Sequence, residues 1–71
     1  MAYDKKRVGL RLKSLRIDRG LDQGQLSEAS TVPIATIQSY EAGVNVIGLE
    51  NATKLADALG CSIDRLACRV D

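Results

Sequence analysis

Histidine, tryptophan and phenylalanine are absent from this 71-residue chain, proline occurs once and cysteine twice. Without histidine there is no imidazole base, no Ser-His relay and none of the common zinc sites. Cys61 and Cys68 stand seven apart, which fits neither CxxC nor another metal-ligand spacing, so they read as small core hydrophobes in a reducing compartment. Closely paired carboxylates are missing too. The chain therefore reads as a non-enzyme that needs no cofactor and no metal. No apolar run approaches the roughly 18 residues of a membrane span. The start, Met1 to Arg7, lacks the apolar stretch of a signal peptide, which points to the cytoplasm.

What is present is an ordinary globular balance, 45% apolar and 27% charged, in one small domain. A chain of this length buries only about 60% of the surface its unfolded form exposes, so its core is marginal. Small domains in that position lean on disulfides, metals or a partner chain. Net charge is +1, but residues 1–20 carry seven cations against two carboxylates, net +5, while residues 21–71 carry three against seven, net −4. Lys5, Lys6, Arg7 and Arg11 lie in the basic third and form a candidate footprint for an anionic partner. The same charges also fit a solvated helix face.

Helix is the only regular structure the periodicity supports, and it predicts five helices in an all-α domain. Val8, Leu12 and Leu15 recur at helical spacing and Gly20 closes the segment. Asp22 with Gln25 three residues on makes a capping box for a second helix, whose inner face holds Leu26, Ser27 and Ser30. Thr31-Val32-Pro33 is the break. A third helix runs from Ile34 to Ala42, with Ile37 and Tyr40 inward and Ala35, Thr36, Gln38 and Ser39 outward. After a loop at 44–48, a fourth helix places Leu49, Ala52, Leu55, Ala56 and Leu59 on one stripe before Gly60. Ser62 caps a short fifth helix with Ile63, Leu66 and Ala67. Residues 1–71 form a single domain, with a basic arm at 1–7 and a five-helix core at 8–66.

The segment Leu21-Asp22-Gln23-Gly24-Gln25-Leu26-Ser27, continuing through the Thr31-Val32-Pro33 break to Gly43, resembles the helix-turn-helix of the Cro/lambda-repressor (XRE) family. The resemblance runs on through Leu49 to Leu66 and covers nearly the whole chain, with all five helices at the matching spacing. It implies a lambda-repressor-like DNA-binding domain whose helix-turn-helix is helices 2 and 3. By position, Gln23 matches a residue that family members use on backbone phosphate, which suits a donor beside a helix N-terminus. Arg16 and Glu41 match a pair that joins helix 1 to helix 3. Ile34, Ala35, Thr36, Gln38 and Ser39 match the positions that reach base edges, and Asn45 matches a loop residue that contacts DNA.

The departures from the family pattern are specific. Ile34, Ala42 and Val44 stand where many relatives place basic residues. Pro33 replaces a capping Ser or Thr, Thr31 takes a turn position usually given to glycine, and Gly24 weakens helix 2.

The expected function is a sequence-specific regulator that binds double-stranded DNA, read as a repressor, with no small-molecule ligand. One short recognition helix spans only a few base pairs, so a homodimer on a two-fold operator is expected. Its expected interface is Ile63, Leu66, Ala67, Cys68 and Val70. The alternative is a protein-interaction module on the same fold, an antitoxin-like or anti-repressor partner, motivated by the scarcity of cations after residue 20. Operator sequence and regulated gene are not legible in the residues.

Overall fold

Asp4 opens the first helix. Its carboxylate accepts from the N–H groups of Lys6 at 3.0 Å and Arg7 at 3.2 Å, satisfying donors that a helix start leaves without partners. The computed structural model describes residues 4–69 and contains α1 (Lys5–Asp18), α2 (Gln23–Ser30), α3 (Ile34–Glu41), α4 (Leu49–Leu59) and α5 (Ile63–Leu66), with no strand among the described residues. This corrects the expected arm. Lys5, Lys6 and Arg7 are the first turn of α1, because Asp4 supplies a cap that carries the helix a turn beyond the apolar periodicity.

The helices close a ring of contacts, α1 on α3 and α5, α2 on α3 and α4, and α4 on α5. Leu12, Leu26, Ile37, Leu55, Leu59, Leu66 and Val32 are fully buried at its centre, joined by Val8, Leu15, Tyr40 and Ile47. Leu49 does not join them. It lies at the first residue of α4, past the end of the core, and is 74% exposed, although periodicity aligns it with the buried stripe. Leu66, expected at an intermolecular surface, is 1% exposed and closes the monomer's own core.

Two close approaches set the relation of α1 to α3. At Gly9 a Cβ would overlap the Tyr40 carbonyl oxygen and press on that of Glu41 at 3.2 Å, so only glycine lets α1 lie against the end of α3. Gly43, at φ +72°, leaves α3 in the left-handed conformation and packs on Lys6, whose Cα would stand 3.0 Å from a Cβ there.

The turn between α2 and α3 is built from side chains. Asp22 and Gln25 form the reciprocal capping box, at 2.7 and 2.8 Å. Thr31 takes φ +64°, a left-handed conformation that disfavours a β-branched residue, and its N–H donates to the Ser27 carbonyl at 2.8 Å. Ser27 Oγ donates to the Val32 carbonyl at 2.6 Å, and Ser30 Oγ accepts from the Val32 N–H at 3.2 Å. The small inward serines of α2 thus hold the turn that Thr31 strains. Pro33 precedes α3 without any side-chain cap.

Candidate nucleic-acid interface

The outward side of α3 is positioned from below by one carboxylate. Glu41 accepts from Arg16 Nε at 2.7 Å and Nη2 at 2.9 Å, a bidentate pair, while Arg16 Nη1 donates to the Leu21 carbonyl at 2.8 Å. The two side chains are only 11% and 5% exposed. Hydrogen bonding to Glu41 raises the Arg16 pKa against the opposing effect of burial, so the guanidinium stays charged. Arg16 therefore ties α1, the α1–α2 turn and the C-terminal end of α3 into one unit.

Gln23, the first residue of α2, joins the same carboxylate by donating Nε2–H to Glu41 Oε1 at 3.1 Å. It is half-buried and lies where α2 begins. A glutamine amide carries two N–H donors, so one bond to Glu41 leaves a second. Beneath α3, the Tyr40 hydroxyl accepts from Asn51 Nδ2 at 2.8 Å, linking α3 to α4. Sequence reasoning missed this bond. A hydroxyl on an otherwise buried aromatic was the available signal, because such a group needs a partner.

Of the residues expected to reach bases, Ala35 and Gln38 are exposed, Thr36 and Ser39 are half-buried, and Ile34 is 44% exposed. Asn45 is exposed on the α3–α4 loop between Val44 and Val46, themselves exposed. Of the expected basic footprint, the side chains of Lys5, Lys6 and Arg11 divide between two sides of α1. Lys5 Nζ donates to the Val44 carbonyl at 3.3 Å and Lys6 packs on Gly43, which puts both beside that loop. Arg11 Nη1 instead donates to the Arg65 carbonyl at 3.0 Å, and the Arg7 carbonyl accepts from Cys68 Sγ at 3.7 Å, so this side of α1 meets α5.

The residues expected to form an intermolecular face also separate. Leu66 belongs to the core, Cys68 bonds to α1, and Val70 lies outside the described residues. Ile63, Ala67 and the edge of Leu66 line a surface groove with Val8, Ile47, Leu49 and Ala52. Cys61 is half-buried in the turn before α5, and burial pushes its thiol pKa up. Among the described residues no cluster of three or more His, Cys, Asp or Glu could hold a metal ion, and no helix is long and apolar enough to cross a membrane.

Five helices, with α2 and α3 joined by a tight turn and α3 tied to α1 by a buried ion pair, define a helix-turn-helix domain. Comparison with known proteins agrees: the helix-turn-helix family HTH_3 matches residues 12–66, and the chain belongs to this XRE-type family of DNA-binding transcription regulators. It is 35% identical over 57 residues to uncharacterized HTH-type transcriptional regulators of Rickettsia conorii and Rickettsia prowazekii. Those residues are 80% of this chain but 46% and 44% of the relatives, so the chain matches less than half of their length. The crystal structure of the restriction-modification controller protein C.AhdI from Aeromonas hydrophila superposes with a TM-score of 0.85 at 32% identity, covering 92% of this chain and 98% of that one. That of the clp gene regulator ClgR from C. glutamicum gives 0.81 at 25% identity, over 100% and 97%.

Proposed function

We propose that this chain binds a two-fold DNA operator as a homodimer, inserts α3 in the major groove and represses by occupying the site, an outcome that needs nothing beyond binding. The observation that carries this reading is the shared Glu41 carboxylate, which fixes Arg16 and Gln23 and so orients α3 and the start of α2 together. Gln23 and the N-terminus of α2 take a phosphate, Lys5 and Lys6 take others beside the loop, and Ile34, Ala35, Thr36, Gln38, Ser39 and Asn45 face the bases. Phosphate contacts position the module and base contacts specify the sequence.

The homodimer is supported by the groove of Ile47, Leu49, Ala52, Ile63 and Ala67, which leaves a largely exposed leucine at its rim. A second copy covering it would bury apolar surface that so small a core cannot reach. A second reading, docking to a protein, is favoured by the absence of any cation from Leu21 to Thr53 and by exposed Val44 and Val46.

Titrating duplex binding against salt separates the two. DNA binding gives a log–log slope near −0.9 per neutralised phosphate, and Gln23→Ala weakens operator and random duplex by the same factor. No detectable duplex binding at about 50 mM salt, where phosphate contacts are strong, favours the protein-docking reading.

A further inference from the structure

The outward side of α3 bears no formal charge. Glu41 is the only charged residue of the helix, and its carboxylate is spent inward on Arg16 and Gln23. The contact of choice for guanine is a bidentate Arg or Lys on O6 and N7, and α3 offers neither. It offers instead the exposed amide of Gln38, flanked by the apolar side chains of Ile34 and Ala35. A glutamine amide matches adenine, presenting a donor to N7 and an acceptor to the N6 amino group. In the major groove the apolar feature is the thymine C5-methyl.

Ile34 has no place in the core, where Val32 and Ile37 are already fully buried. It remains 44% exposed at the first turn of α3, beside the start of α2, where a Cβ on Gly24 would touch its Cδ1 at 3.9 Å. An isoleucine held half-open next to the phosphate-facing end of α2 is placed to meet a base edge as the module docks. Resting on the DNA-binding reading above, we infer that α3 reads an A·T core in each half-site, with Gln38 on adenine and Ile34, assisted by Ala35, on a thymine methyl.

The test starts from duplexes enriched by this protein out of a random pool, with each core thymine then replaced in turn by deoxyuridine. That change removes the C5-methyl and leaves every hydrogen bond in place. Enriched half-sites are expected to carry A·T pairs at the core, and deoxyuridine at one of them to weaken binding about fourfold, the worth of one buried methyl. Ile34→Ala, at a half-exposed position that leaves the core intact, binds thymine and deoxyuridine duplexes alike. Gln38→Ala loses the preference for A·T over G·C at its own position.

A G·C core, indifference of the wild type to deoxyuridine throughout, or a full thymine preference retained in Ile34→Ala overturns the inference while DNA binding stands. A pool that yields no enriched duplex overturns the DNA-binding reading and this inference together, and the uncharged face of α3 then serves a protein.

Discussion

At the scale of single residues, the Glu41 carboxylate organises the candidate site, since it takes two bonds from Arg16 and one from Gln23. Removing either member of the ion pair leaves the other's charge buried with only neutral partners, Gln23 for Glu41 and the Leu21 carbonyl for Arg16. Arg16→Ala should destabilise the fold by about 3 kcal/mol, the lower end for breaking a buried pair because part of the guanidinium still reaches water. A denaturant double-mutant cycle with Glu41→Ala should return a coupling well above the 0–1 kcal/mol or so of an exposed pair. Additive effects would mean that α3 is not held by this pair. Arg16 and Glu41 were legible in the sequence through their position in a family pattern. Gly9 was not, because its role depends on how closely two helices cross, and no spacing along α1 encodes the position of the Tyr40 carbonyl.

At the scale of elements, the helices followed from apolar periodicity and their ends from capping chemistry: Asp22 with Gln25, Ser62 accepting from the Arg65 N–H at 3.1 Å, and Gly60 in the left-handed conformation. Errors arose where local pattern meets the limits of the core. Leu49 shares a stripe with Ala52 and Leu59 yet projects beyond the last layer, and Lys5 to Arg7 are helical through a polar cap rather than an apolar face. Thr31 is the strained element end. A β-branched residue at φ +64° is tolerated because Ser27 and Ser30 tie down Val32 on its far side. Thr31→Gly should relieve that strain and raise stability by up to about 1 kcal/mol, the left-handed penalty less the added freedom of the unfolded chain. A denaturant midpoint that falls instead would show that the threonine side chain makes a contact worth more than its strain.

At the scale of the whole molecule, a body 31 × 22 × 20 Å in extent offers two surfaces of different character. Lys5 and Lys6 flank the loop after α3, whereas the groove with Leu49 and Ile63 opens between the start of α4 and α5. The dimer expected from a single short recognition helix thus has a candidate surface, and Ile63, Leu66 and Ala67 of the five residues first assigned to it line the groove. Leu49→Glu leaves the core untouched and should shift the sedimentation of the protein at micromolar concentration from dimer to monomer. An unchanged dimer would place the contact elsewhere. Hydroxyl-radical footprinting on a duplex enriched from a random pool reads out directly whether a two-fold pair of α3 helices sits on DNA. Two equal protected patches are expected on one face of the DNA, related by a two-fold axis and centred about 34–36 Å apart, one helical turn. A single protected patch, or protection with no two-fold relation, would contradict that arrangement.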